Sequence, residues 1–247
     1  MNLDLRFGQP NNYDFETILD QFSGTKINSF RTSSIPLVQF WKDTDKKLNE
    51  LFDKLNLLTD KVTLCFEYPT KPLIGVGKSS MTDLMILSQD LKIAIEAKFT
   101  EYKKMKADPI KKWKTAGDKE NRIKVLEYWT SLIKPFTNGI DDKTIEKISY
   151  QFYHRTASAC KINGKAVVVY QVFYDQDTND SLDSFKKKIS EYVTLINPNE
   201  NLKFYIWEIE VVQRIFDDKK IDPFMEMKFR NIYDFTKSKI IELKNFA

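Results

Sequence analysis

Cysteine and histidine are scarce in this chain: Cys65, Cys160 and a single histidine, His154, among 247 residues. One histidine argues against zinc hydrolases and against nucleases that combine a histidine base with histidine ligands. Cys65 falls in a predicted strand and Cys160 at a predicted helix end, so both read as buried thiols rather than a disulfide or metal pair. No run approaches the roughly 20 uninterrupted apolar residues of a membrane span. The opening M-N-L-D-L-R-F-G-Q-P lacks the basic and apolar regions of a secretory signal. A cytoplasmic protein without a membrane partner is expected. Internal repeats, low-complexity tracts and a clear linker are also missing.

What remains is globular in composition, with 42% hydrophobic and 13% aromatic residues, enough for a sizeable core. The net charge of +4 is modest for a nucleic-acid binder, but the lysines are uneven. K-F-T-E-Y-K-K-M-K, K-K-W-K-T and K-E-N-R-I-K follow one another between Lys98 and Lys124. A cationic segment of this kind either solvates a helix face or tracks phosphates, which would make binding depend on salt.

The richest stretch is Met81 to Phe99, M-T-D-L-M-I-L-S-Q-D-L-K-I-A-I-E-A-K-F. Leu91, Ile93, Ile95, Ala97 and Phe99 alternate with Lys92, Ala94, Glu96 and Lys98, the period of a half-buried strand. Met81 to Leu87 is a short apolar run that reads as a buried strand, with Ser88, Gln89 and Asp90 as turn material. If Ser88 pairs with Leu91, or equivalently Leu87 with Lys92, Asp83 falls opposite Glu96, with Cβ atoms roughly 5 Å apart. A three-residue loop would send Asp83 to the other face. Like charges directly across a sheet are destabilising, whereas a hard cation between them turns repulsion into coordination. Mg²⁺ suits such a pair, completing its shell with water and phosphate oxygens, and Lys98 on the same face would stabilise developing phosphorane charge.

A competing motif overlaps this region. Gly75-Val76-Gly77-Lys78-Ser79 matches the end of G-x-x-x-x-G-K-[ST], but the first glycine position holds Pro72. A phosphate-cradling loop must also open a helix, and a strand is expected here. Gly75, Gly77 and Lys78 are therefore read as a flexible connection beside the site, with Lys78 touching substrate backbone.

Asp83 followed by Glu96-Ala97-Lys98 resembles the PD-(D/E)XK nuclease superfamily, with Thr82 in place of the signature proline. The resemblance implies a restriction-endonuclease-like α/β core: a helix, a three-stranded meander, a helix and a further strand, in a mixed central sheet flanked by helices. Leu37 to Leu58 (helix), Lys61 to Tyr68 (strand), Thr144 to Cys160 (helix) and Ala166 to Tyr174 (strand) supply that order. It further implies Asp83, Glu96 and the Ala97 carbonyl as ligands of one or two Mg²⁺ ions, with Mn²⁺ able to substitute. Lys98 would serve the nucleophile, and Gln151 would be the polar residue of the later helix beside the site. Arg155 or His154 would contact phosphate. A further acid would come from Glu67 on the first strand or Glu50 on the leading helix. Lys111, Lys112 and Lys114, beside Trp113, lie where family members insert substrate-facing elements. The implied activity is a DNA endonuclease of restriction or defence type acting on double-stranded DNA, many such enzymes working as homodimers.

A single domain over 1–247 is expected, with its core at about 37–211 and an insertion at about 101–142. Ala107 to Asn121 and Pro135 to Asp142 read as loop-rich breaks around a helix containing Val125 to Ile133. Downstream, Ser181 to Leu195 reads as a helix, Leu202 to Val211 as a strand and Ile232 to Lys244 as a closing helix. The segment before Ser34 carries no decisive pattern.

Overall fold

A computed structural model describes residues 2–243 except 9–10, 23–26, 28, 105–107 and 215–220. Part of the lysine-rich run and Lys244, the end of the expected closing helix, thus lie outside the described residues. The architecture is α/β, a seven-stranded mixed sheet flanked by helices, with strands in chain order across the sheet. They are β1 (Asn2–Phe7), β2 (Lys61–Thr70), β3 (Ser80–Leu87), β4 (Leu91–Lys98), β5 (Lys165–Tyr174), β6 (Leu202–Gln213) and β7 (Tyr233–Leu243). β1 runs parallel to β2, and β2, β3 and β4 form an antiparallel meander. β5 is parallel to β4 and β6 to β5, while β7 closes antiparallel on β6.

The helices follow from the connections. Parallel neighbours need long crossovers, supplied between β4 and β5 by α4 (Ile110–Thr115), α5 (Lys119–Ile133), α6 (Asp142–Lys147) and α7 (Tyr150–Cys160), and between β5 and β6 by α8 (Asn179–Ile196). α1 (Phe15–Gln21), α2 (Ser34–Phe40) and α3 (Thr44–Leu55) precede the meander, and α9 (Pro223–Phe229) precedes β7. Two cores result, one on each face of the sheet. Trp41, Leu48 and Phe52 of the leading helices pack on Ile93, Ile95 and Val169. Trp129 of α5, Phe152 of α7 and Ile189 of α8 pack with Ala94, Val168 and Tyr170 on the opposite face.

Five expectations are corrected. The helix expected over Leu37 to Leu58 is two, because the Thr44 hydroxyl bonds to the Trp41 carbonyl at 2.6 Å and closes the first before the second begins. The helix over Thr144 to Cys160 also breaks: Ile148 and Tyr150 bond instead to Ile110 and Asp108, at 2.8 and 3.2 Å, as a short antiparallel bridge. Within the expected Ala107 to Asn121 break, of which Ala107 lies outside the described residues, those bonds tie down residues 108–110, and α4 and the start of α5 follow rather than loop alone. The closing helix is strand β7, whose charged residues meet partners across β6, Lys237 with Glu210 at 3.1 Å among them. Thr236 to Lys239 are exposed in succession on that strand, which breaks the period of two that marks a strand in sequence. Finally, β4 is not half-buried: all eight of its residues are buried, since helices cover the Glu96 and Lys98 face too.

No helix among the described residues is long and apolar enough to cross a membrane.

Candidate active site

The hairpin register decides the site. Leu87 pairs with Lys92 and Leu84 with Ile95, a count that sets Asp83 against Glu96. The Ser88 amide donates to the Leu91 carbonyl at 2.9 Å, closing the turn. Asp83 Oδ2 accepts the Ala97 backbone N–H at 2.8 Å, which fixes one of its oxygens between the two strands. Met85 and Ala94, further along the same rows, join the core under α5 and α7.

Helix α7 roofs the pair. Its apolar side, with Phe152, Ala157 and Ala159, lies in that core, so Gln151 and Arg155, one turn apart, reach the strands together. Glu96, only 3% exposed, receives three partners. Lys98 Nζ donates to its Oε1 at 2.7 Å, Gln151 Nε2 donates to the same oxygen at 3.2 Å, and Arg155 Nε ion-pairs with Oε2 at 2.6 Å.

The two acids differ in ionisation because their surroundings differ. Burial, followed by the charge of Glu96, pushes Asp83 up to about 7. Burial would push Glu96 up as well, but Arg155 and Lys98 outweigh it and hold Glu96 down at about 2. Burial alone would lower Lys98 and Arg155; their carboxylate neighbours, Glu96 first, raise both, so both stay cationic. Asp83 is thus the acid whose charge is under-compensated.

Ser80 joins the site without a sequence signal of its own. Its hydroxyl accepts from Arg155 Nη1 at 3.0 Å and meets His154 Nδ1 at 2.7 Å. Burial, then the Arg155 charge, drops His154 to about 3, so the ring is neutral at ordinary pH. With one proton and two acceptor lone pairs, the Ser80 hydroxyl engages Nδ1 in either tautomer of the neutral ring while accepting from Arg155. Tyr170, opposite Glu96 on β5, has a buried hydroxyl without a hydrogen-bond partner among the described residues.

Glu67 adjoins the pair, its charge adding to the upward push on Asp83. It sits at φ 49°, a left-handed conformation unusual for a non-glycine residue inside a strand. Side-chain alternation slips there. Phe66 and Leu84 belong to the first core, whereas Tyr68, opposite Thr82, packs against the second. Glu50, the other candidate acid, is elsewhere: it bonds Lys47 at 3.0 Å and Ser238 of β7 at 2.6 Å.

The remaining candidates spread around the mouth. Lys78 lies in the connection between β2 and β3, which leads into a strand and not a helix, so the phosphate-loop motif lacks its context. On α4, Lys111 is exposed, Lys112 pairs with Asp108 at 2.7 Å and Lys114 with Glu146. Neither pairing reaches the carboxylates, but Trp113 between them stacks on Tyr150 with ring centroids 3.6 Å apart. Cys65 and Cys160 are buried free thiols.

The residues fit a hard divalent cation in one way. Among the described residues no group of three or more acids, histidines or cysteines converges, so these residues offer no all-protein cage. Two neighbouring carboxylates, one of them under-compensated, constitute the smaller ligand set on which Mg²⁺ relies when substrate and water oxygens complete its shell.

The fold and this site together define an α/β protein with a buried acid pair on a mixed sheet, one member of which, Glu96, is held by Lys98 and Arg155. The chain belongs to the domain family of unknown function DUF6946, which matches residues 14–210. Neither the curated proteins nor the solved structures include a match to it.

Proposed function

We propose that the protein is a divalent-metal-dependent phosphodiesterase of the PD-(D/E)XK kind, with a restriction-endonuclease-like core, acting on double-stranded DNA in restriction or defence. One observation carries the reading: Asp83 and Glu96 face each other across a hairpin with Lys98 alongside and Gln151 overhead. The order α3, β2–β3–β4 meander, α7 and β5 supports it.

Asp83 and Glu96 would hold Mg²⁺ or Mn²⁺, with the Ala97 carbonyl and Glu67 as the further ligands that the resemblance implies. When bound, such an ion supplies Lewis acidity toward water and phosphoryl oxygen. The chain does the rest. Gln151 and Arg155 keep Glu96 ionised and oriented. Lys98 remains an ammonium, so it acts as a donor to the nucleophile and to developing negative charge, not as a base. Lys98→Ala is expected to cut cleavage by at least about 100-fold, the scale of losing one preorganised donor. Plasmid cleavage in Mg²⁺, compared with EDTA, measures this. Unchanged cutting by a folded variant overturns the site.

Cation and proton compete for Asp83. Because its carboxyl is held near 7, metal affinity is expected to fall more than about tenfold between pH 8 and pH 5.5. Calorimetric titration of Mn²⁺ at the two pH values gives the ratio.

A second reading, a nucleic-acid- or partner-binding protein that does not cut, is favoured by the full engagement of both Glu96 oxygens by Lys98, Gln151 and Arg155. It requires binding without Asp83-dependent cleavage in the same assay.

A further inference from the structure

A cavity of about 420 Å³ lies beside the acid pair, between the β2–β3 connection and helices α4, α5 and α7. Its walls include Lys78, Trp113, Arg122, Trp129, Tyr150 and His154. Four of these are aromatic rings and two are cations, the composition of a site for a flat, π-rich, anion-linked ligand. Its volume is in the ligand-pocket range of roughly 300–1,000 Å³.

The rings are ordered as a continuous wall. Arg122 lies 5.0 Å from the Trp113 ring centre, Trp113 stacks on Tyr150, and Tyr150 leans on His154 at 4.8 Å. His154 and Ser80 form the partition with the acid pair, since Ser80 also bonds Arg155, which holds Glu96. With Nδ1 engaged by Ser80, Nε2 is the ring nitrogen left for a ligand.

A separate observation concerns the lip. Leu73, Ile74 and Val76 are 72%, 49% and 84% exposed, a concentration of apolar side chains at the tip of one connection. That tip is held in place. Asn121 on α5 accepts from the Val76 N–H and donates to the Val76 carbonyl, both at 2.6 Å. Gly75 beside it has φ +80° and packs so tightly that a Cβ would come within 2.8 Å of Val125. Apolar side chains fixed outward are those that wedge between base steps and unstack them.

We infer that this cavity receives an unpaired nucleobase next to the scissile phosphate, the apolar tip prising it from the stack. The inference rests on the phosphodiesterase reading and refines its substrate from duplex DNA in general to DNA unpaired at the cut.

The test is fluorescence anisotropy of the full chain in EDTA, where cleavage is absent, with three labelled duplexes. One is perfect, one carries a single unpaired thymidine, and one has an abasic unit at that position. The unpaired thymidine is expected to bind about tenfold tighter than the abasic unit, the scale of one base on an aromatic surface. Arg122→Ala and Trp113→Leu are expected to erase that preference. The exposed pair Leu73→Ser and Val76→Ser, which leaves the core untouched, is expected to weaken the perfect duplex more than the unpaired one. Equal affinity for thymidine and abasic duplexes overturns the base pocket, and Mg²⁺-dependent cleavage that persists in such a protein leaves the phosphodiesterase reading standing. Failure to bind any of the three overturns the pocket; absence of cleavage of every nucleic acid overturns the parent reading as well.

Discussion

Asp83→Asn is expected to abolish metal-dependent cleavage and at the same time to raise the melting temperature of the metal-free protein at pH 8. Burial and the neighbouring Glu96 charge raise the Asp83 carboxyl from 3.8 to about 7, so the folded state holds that proton more tightly than the unfolded chain. Stability from this group is therefore complete below about pH 4 and is lost as pH climbs toward 7. Asparagine keeps an oxygen for the Ala97 N–H but carries no charge, so it escapes that loss. A gain of about 1–3 kcal/mol at pH 8 is in the range of single buried changes. Thermal melts across pH 4 to 8 measure it: the wild-type curve descends relative to the variant, and the two converge near pH 4. Mg²⁺ supplies the contrast. A ligand at 100 times its Kd adds about 2.7 kcal/mol to the state that binds it, and the wild type alone should respond. An Asp83→Asn protein that melts lower at pH 8, or responds fully to Mg²⁺, removes Asp83 from the cation site.

The second large effect is on folding. Arg155→Met takes the guanidinium from Oε2 of a nearly inaccessible Glu96 and also empties one contact of Ser80. Breaking a buried ion pair from one side costs about 3–5 kcal/mol, a drop of roughly 10 °C for a protein of this size. The cost has a pH signature. Wild-type Glu96, held at about 2, contributes stability that is present above about pH 4.5 and fades as pH falls toward 2. Without Arg155, burial gains ground against the remaining lysine and that contribution shrinks at neutral pH. Adding Glu96→Gln removes the charge in need of a partner, so the double variant should recover at least half of the loss. Urea unfolding of the two single variants and the double variant at pH 7 gives the coupling; strict additivity means that the pair is not a folding element.

The hairpin was legible because two independent parities agree: the alternation through Lys92, Glu96 and Lys98, and the turn that pairs Ser88 with Leu91. Gln151 was legible by resemblance, and its i to i+4 spacing from Arg155 placed both on one side of α7. Coverage of that face was not legible, since it depends on α5 and α7, which come after a long stretch of chain. Ser80 was equally hidden. It meets α7 through His154 and Arg155, contacts that lie 74 and 75 residues away in the chain and leave no trace in the local pattern. The breaks at Trp41 and Ile148 arise from hydrogen bonds to a later turn and to residues 108–110. β7 was misread because its partner, β6, supplies both its backbone bonds and the ion-pair partners of Lys237 and Glu242.

The long crossover between β4 and β5 has a consequence for synthesis. Glu96 meets Gln151 across 55 residues of sequence, so a chain emerging from the ribosome as far as β4 carries both acids and Lys98 yet lacks the guanidinium and amide that steady them. The crossover must be complete, and β5 paired, before the sheet around β4 is closed on both sides. Contacts this distant form late and slowly, which ties the assembled site to completed folding: a truncated or stalled product ending before Tyr150 holds the acids without the groups that position them.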